Sequence, residues 1–299
     1  MIRARSYAFR RIASVNYHLW QACNMACKFC FATFDDMKHT VLPAGHLNKE
    51  DSALVVRRLA EAGFRKINFA GGEPLLCAWL PDMVAQAREY KMATSMVTNG
   101  SLADRPRFAK VLEHLDWVAL SVDSVDSGTL IRTGRVTRNG PMTADDYLRI
   151  CERVKAAGVR LKINTVVTSA NKDEDLTGFI RTARPERWKI MQMLPMAGPD
   201  SRHDPELQVG AEDFARFVRH SNKVELDGIR VIAERSQDMK GSYVMVDPAG
   251  RFYDNVDDQY SYSQPILAVG ADTALSQVRV SKWAFHARGG LYEYQSQGS

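Results

Sequence analysis

The chain has no apolar run of about 18 residues, the length a bilayer-crossing helix needs. Its start, MIRARSYAFRRIASVNYHLW, has neither an unbroken apolar core nor a small-residue cleavage site. A membrane anchor and a secretory leader are therefore not expected, and Arg3, Arg5, Arg10 and Arg11 read as a basic lead-in to a first strand. Cysteine is scarce and odd in number: of five, three crowd into Cys23–Cys30 while Cys77 and Cys151 stand alone. That usage excludes a disulfide framework and fits a reducing compartment with a metal site, so the cytoplasm is the expected location. Charge of one sign is not in large excess. A net charge of +5, evenly spread, argues against a nucleic-acid partner but suits a small polyanionic substrate. Low-complexity segments are absent, and 45% hydrophobic with 25% charged residues excludes wholesale disorder. A monomer is expected.

What the chain does have is a repeating β/α rhythm. Short apolar runs at Val15–Leu19, Lys66–Ala70, Thr94–Thr98, Trp117–Val122, Arg160–Val167 and Trp188–Leu194 read as strands. Helical patterns at Asn48–Gly63, Ala78–Tyr90, Arg105–Leu115, Thr143–Gly158 and Asp173–Ala183 lie between them. Six such units predict an α/β fold, a partial (β/α)6 TIM-like barrel with its chemistry at the C-terminal strand ends. After Pro195 the rhythm breaks, and a hairpin is expected around Pro248-Ala249-Gly250. The expected organisation is a lead-in at 1–13, a barrel at 14–195, an extension at 196–292 covering the substrate site, and a tail at 293–299.

Directly after the first strand comes Cys23-Asn24-Met25-Ala26-Cys27-Lys28-Phe29-Cys30, a C-x3-C-x2-C loop. Three thiolates on one loop can hold three corners of a 4Fe-4S cluster and leave the fourth iron open to a ligand. The competing reading is a structural zinc completed by His18 or His39, although zinc ligands usually come as two spaced pairs. After the second strand stands Gly71-Gly72-Glu73-Pro74. Adjacent glycines admit close backbone approach, and Glu73 is placed to accept from a ligand ammonium. Asn99 ends the third strand, and Ser121 and Asp123 end the fourth, offering groups suited to ribose hydroxyls or a carboxylate.

The cysteine loop and the GGEP segment together resemble the radical S-adenosylmethionine (SAM) superfamily. The resemblance implies a 4Fe-4S cluster on Cys23, Cys27 and Cys30, with SAM held by Phe29, Gly71, Gly72, Glu73, Asn99, Ser121 and Asp123. No further multi-cysteine run exists, which argues against members with an auxiliary cluster. Ser14-Val15-Asn16-Tyr17-His18, the run from Lys66 to Pro74, Asn99-Gly100-Ser101, Lys162-Ile163-Asn164, Arg187-Trp188-Lys189 and Arg288-Gly289-Gly290 further resemble the viperin family, specifically its prokaryotic members.

That second resemblance implies conversion of a ribonucleoside triphosphate (CTP, UTP or GTP) to its 3'-deoxy-3',4'-didehydro analogue, a chain terminator in antiviral (phage) defence. It implies also a flavodoxin- or ferredoxin-type electron donor. Lys66 and Lys162, on apolar strands, are expected to reach a triphosphate, since an unpaired buried ammonium is costly. Asn16, Asn68 and Asn164 are expected to orient the substrate, and Arg135 to contact phosphate from a basic, glycine-containing loop. By resemblance, Tyr243 is the candidate catalytic residue, and Arg251 with Asn255 lies in a segment folding over the nucleotide. The alternative function is a radical SAM peptide or cofactor maturase without an auxiliary cluster.

Overall fold

Strands that are apolar on one face must bury that face, and the helices between them supply the cover. In the computed structural model, which describes residues 12–35, 37–198 and 202–287, ten strands form one sheet in the order β10-β9-β8-β1-β2-β3-β4-β5-β6-β7. The start of the lead-in, Arg288-Gly289-Gly290 and the tail lie outside the described residues. Seven strands run parallel in sequence order: β1 (Ser14–Trp20), β2 (Lys66–Gly71), β3 (Ala93–Thr98), β4 (Trp117–Ser121), β5 (Arg160–Val167), β6 (Arg187–Gln192) and β7 (Arg230–Glu234). The expected six units are thus joined by a seventh strand, which pairs Lys189 with Ile232 on the free edge of β6. Edges remain at β10 and β7, so the barrel is partial.

The covering helices follow their sequence signals. Asn48 caps Lys49–Glu61 by accepting from the Asp51 amide at 2.8 Å. Thr143 and Asp146 form a reciprocal capping box at Ala144–Ala156, which buries Tyr147, Ile150, Cys151 and Val154 along one stripe. The hairpin forms as expected. β8 (Met245–Val246) pairs antiparallel with β9 (Arg251–Asp254), and β10 (Ser261–Pro265) continues the meander. β8 also runs parallel to β1, bringing Met245 beside Asn16. The post-barrel segment is thereby stitched to the first strand. No helix among the described residues is long and apolar enough to cross a membrane.

Alternation along the strands divides core from cavity. On β5 and β6, Leu161, Ile163, Trp188 and Ile190 join the helix-covered core, while Lys162, Asn164, Arg187 and Lys189 line an interior cavity. A buried polar chain ties three strands together on the core side. Trp188 Nε1 donates to Thr165 Oγ1 at 2.9 Å, and that hydroxyl donates to the Val122 carbonyl at 2.6 Å. Thr165→Val keeps the volume but strands both partners, so it is expected to cost about 1–3 kcal/mol, read as a lower denaturant midpoint at unchanged slope.

Candidate active site

The inward residues of the strands enclose a cavity of about 340 Å³. Its wall is built in tiers, because successive inward positions lie about 6.6 Å apart along a strand. Lys66, Lys162 and Arg187 lie toward the strand starts; Asn16, Asn68, Ser95, Asn164 and Lys189 come next; His18, Ala70, Val97, Ser121 and Val166 lie toward the C-terminal ends. The side-chain amides are chained: Ser95 Oγ donates to Asn68 Oδ1 at 2.7 Å, and Asn68 Nδ2 to Asn16 Oδ1 at 2.9 Å. Cys23, Cys27 and Cys30 line the same cavity.

The cysteine loop is held by backbone and side-chain bonds from several strand ends. Gly72 N donates to Trp20 O at 2.6 Å and Glu73 N to Ala22 O at 2.9 Å. A Cβ on Gly72 would lie 2.3 Å from Ala22 O, and one on Gly71, whose φ is +155°, 2.3 Å from Trp20 O. The paired glycines therefore serve close packing of the second loop on the first. Asn99 Nδ2 donates to Asn24 Oδ1 at 3.0 Å, and Lys28 N to Thr133 O at 2.9 Å. Gly134 also presses on the loop, since its Cβ would meet Ala26 O at 2.5 Å.

Glu73 lies off the cavity wall, whereas Arg135 lines it, and each is held by protein partners. Glu73 is fully buried beneath the loop and outside the cavity wall. Its Oε1 accepts from Thr98 Oγ1 at 2.7 Å and the Leu75 amide at 3.0 Å, and its Oε2 from the Asn99 amide at 2.8 Å. With three protein donors it fastens the site. Burial pushes its carboxyl up, against the lowering effect of those donors. Arg135 is not a solvated loop cation. It is 5% exposed, pairs with Asp123 at 3.0 Å, donates to Ser121 O at 2.7 Å and reaches Cys27 Sγ at 3.8 Å. Tertiary folding turns the loop's arginine inward, beside a cysteine and toward the strand-end tier. Burial likewise raises Asp123, which Arg135 opposes.

Phe29, Gly71, Gly72, Asn99, Ser121 and Asp123 all line the cavity, as do Asn16, Lys66, Asn68, Lys162, Asn164 and Tyr243. Arg251 does not. Asp247, four residues earlier, takes its guanidinium at 2.7 Å, and the guanidinium stacks 4.2 Å from the Tyr262 ring centroid. Its neighbour Asn255 does line the cavity. Arg187, Lys189 and Glu234 are wall residues to which the sequence reading assigned no role in the site. The first two were findable, because Arg187 and Lys189 repeat on β6 the period-two spacing of Lys162 and Asn164 on β5.

The residues fit an iron-sulfur cluster and a polar ligand beside it. Three thiols share one wall, and a buried guanidinium stands against Cys27 to offset thiolate charge. Among the described residues no three His, Cys, Asp or Glu side chains gather as a cage for one ion, and ligands to separate iron corners need not do so. Burial pushes the Cys30 thiol up to about 12, so binding iron there would expel a proton. Arg135 Nε, Asn164 Oδ1 and His18 Nδ1 are buried without a hydrogen-bond partner, on side chains that line the cavity. Burial lowers His18 to about 4, leaving a neutral imidazole edge-on to Phe31, Phe34 and Tyr253. Gly72→Ala is expected to dislodge the loop: after anaerobic reconstitution, iron and sulfide per chain should fall several-fold while far-ultraviolet circular dichroism is retained.

Comparison with known proteins accords with this geometry. The Radical SAM superfamily model matches residues 17–183. An S-adenosylmethionine-dependent nucleotide dehydratase from Flammeovirga pacifica is 43% identical over 284 residues, covering 95% of this chain and 97% of that protein. One of the same name from Lacinutrix mariniflava is 43% identical over 293 residues; it aligns with 98% of this chain, which spans only 61% of that longer protein. The Danio rerio enzyme of that name is 30% identical, covering 95% and 79%. Among solved structures, anSMEcpe with bound AdoMet and a peptide superposes with a TM-score of 0.67 at 18% identity, over 94% of this chain and 84% of that one, a likeness of fold. The chain belongs to the radical SAM superfamily and, within it, to the family of S-adenosylmethionine-dependent nucleotide dehydratases.

Proposed function

We propose that this chain converts a ribonucleoside triphosphate to its 3'-deoxy-3',4'-didehydro analogue. The observation that carries the reading is that three cations, Lys66, Lys162 and Arg187, line the same cavity as the three-cysteine loop. Lys66 and Arg187 are buried, and Lys162 and Arg187 are register neighbours on β5 and β6. Three cations on one cavity wall offer a polyphosphate several charge-assisted donors at once.

Cys23, Cys27 and Cys30 would hold a 4Fe-4S cluster, which with SAM and an electron would supply a 5'-deoxyadenosyl radical. The protein's part is to orient the nucleotide. Phosphates lie on Lys66, Lys162 and Arg187, the asparagine tier of Asn16, Asn68 and Asn164 spaces the sugar, and C4' is presented toward the cysteine end. The substrate loses its C4' hydrogen and its 3'-hydroxyl; balancing the reaction takes one further electron and one proton, the hydroxide leaving as water. A low-potential donor of the flavodoxin or ferredoxin type supplies electrons in the cytoplasm, and the chain-terminating product suits antiviral defence.

Reconstituted protein with SAM, dithionite and each triphosphate in turn should yield one nucleotide lighter by a water, read by mass spectrometry. Formation of 5'-deoxyadenosine without any dehydrated nucleotide would sink the assignment. Lys162→Ala should raise the KM for that triphosphate about 10- to 100-fold, the worth of one charge-assisted hydrogen bond, with iron content unchanged. An unchanged KM would remove Lys162 from the phosphate site.

A further inference from the structure

The cavity contains a second polar constellation, set apart from the phosphate tier. Lys189 on β6, Glu234 at the end of β7 and Tyr243 just before β8 meet on its wall. Lys189 Nζ pairs with Glu234 Oε1 at 2.9 Å and also donates to the Tyr243 hydroxyl. That hydroxyl in turn donates to Glu234 Oε2. The carboxylate therefore grips both partners, one oxygen each, and the phenol oxygen is both donor and acceptor. The Glu234 side chain is 2% exposed and that of Lys189 is 14% exposed, so the geometry is set by packing more than by solvent. The Lys189 ammonium also lies 4.9 Å from the Tyr243 ring centroid.

From this arrangement we infer that Glu234 is a positioning residue that holds Lys189 and Tyr243 as one proton-delivering unit. The inference rests on the dehydratase reading above, whose balance requires a proton for the departing 3'-hydroxide. In the unit, the Tyr243 hydroxyl turns from Glu234 Oε2 toward the sugar, and its O–H bond breaks as the proton passes to that hydroxide, forming water. The resulting phenolate takes a proton from the Lys189 ammonium, and the Lys189 amine regains one from solvent. The electron comes from the external one-electron reductant. Glu234 neither gains nor loses a proton. Its two oxygens fix the distance between donor and relay.

The test uses the reconstituted full chain with SAM, dithionite and whichever triphosphate the unsubstituted protein dehydrates. Dehydrated nucleotide and 5'-deoxyadenosine are quantified separately for Glu234→Gln, Tyr243→Phe and the double variant. Glu234→Gln should lower kcat for dehydration about 100-fold, the usual worth of a positioned proton donor, while 5'-deoxyadenosine continues to form and the KM for nucleotide moves by less than about 3-fold. The double variant should be no slower than Tyr243→Phe alone, since both changes disable one unit. A preserved ratio of product to 5'-deoxyadenosine in Glu234→Gln, a loss confined to KM, or multiplying effects in the double variant would overturn the inference. If Glu234→Gln does not fold, Tyr243→Phe carries the test, because full dehydration in that variant leaves Glu234 nothing to position. An unsubstituted protein that dehydrates no triphosphate refutes the dehydratase reading itself, a result distinct from failure of the variants.

Discussion

The three hydrogen bonds accepted by Glu73 organise the reactive end of the barrel. One carboxylate, buried under the loop after β2, takes the Asn99 amide and the Thr98 hydroxyl at the end of β3, together with the Leu75 amide in its own loop. Asn99, so fixed, passes the constraint to Asn24 in the cysteine loop, while Gly72 presses that loop from the other side. Three strand-end loops thus share one rigid junction. A cluster whose ligands come from a flexible loop must have the loop's shape supplied from elsewhere, and this junction supplies it.

Below that junction the barrel obeys a simple rule with an unusual filling. In a closed, packed barrel the inward positions carry branched apolar residues. Here lysine, arginine, asparagine and serine stand among apolar residues such as Val97 and Val166, so the interior is a cavity that offers polar groups to a ligand. The outward residues of the same strands, Leu161, Ile163, Trp188 and Ile190 among them, provide the apolar burial that holds the fold. Fold and function are divided residue by residue along each strand. The hairpin of β8 and β9 then adds Tyr243 and Met245 to the wall beside β1.

Much of this was legible in the sequence because it is written in periodicity and local motifs. The six strands expected from apolar runs form within a residue or two of their expected ends, and Lys66 and Lys162 face inward because strand alternation requires it. What was not legible depends on partners distant in sequence. β7, Arg-Val-Ile-Ala-Glu, has only three consecutive apolar residues and lies beyond the break in the β/α rhythm after Pro195, so Glu234 was not placed. Glu73 reads as a ligand acceptor, and the donors that reach both its oxygens from the end of β3 could not be foreseen. Arg135 reads as a phosphate contact, and its pairing with Asp123 beside Cys27 could not be foreseen; Asp247 captures Arg251 by the same kind of pairing.

In the proposed reaction the sugar of a triphosphate lies between the cations Lys66, Lys162 and Arg187 and a cysteine-bound cluster, with C4' toward the cluster. Deuterium at C4' of the substrate tests that placement most directly. A single turnover should carry the label into 5'-deoxyadenosine, detected as a gain of one mass unit. Unlabelled 5'-deoxyadenosine, formed alongside dehydrated product that retains the deuterium, would contradict it.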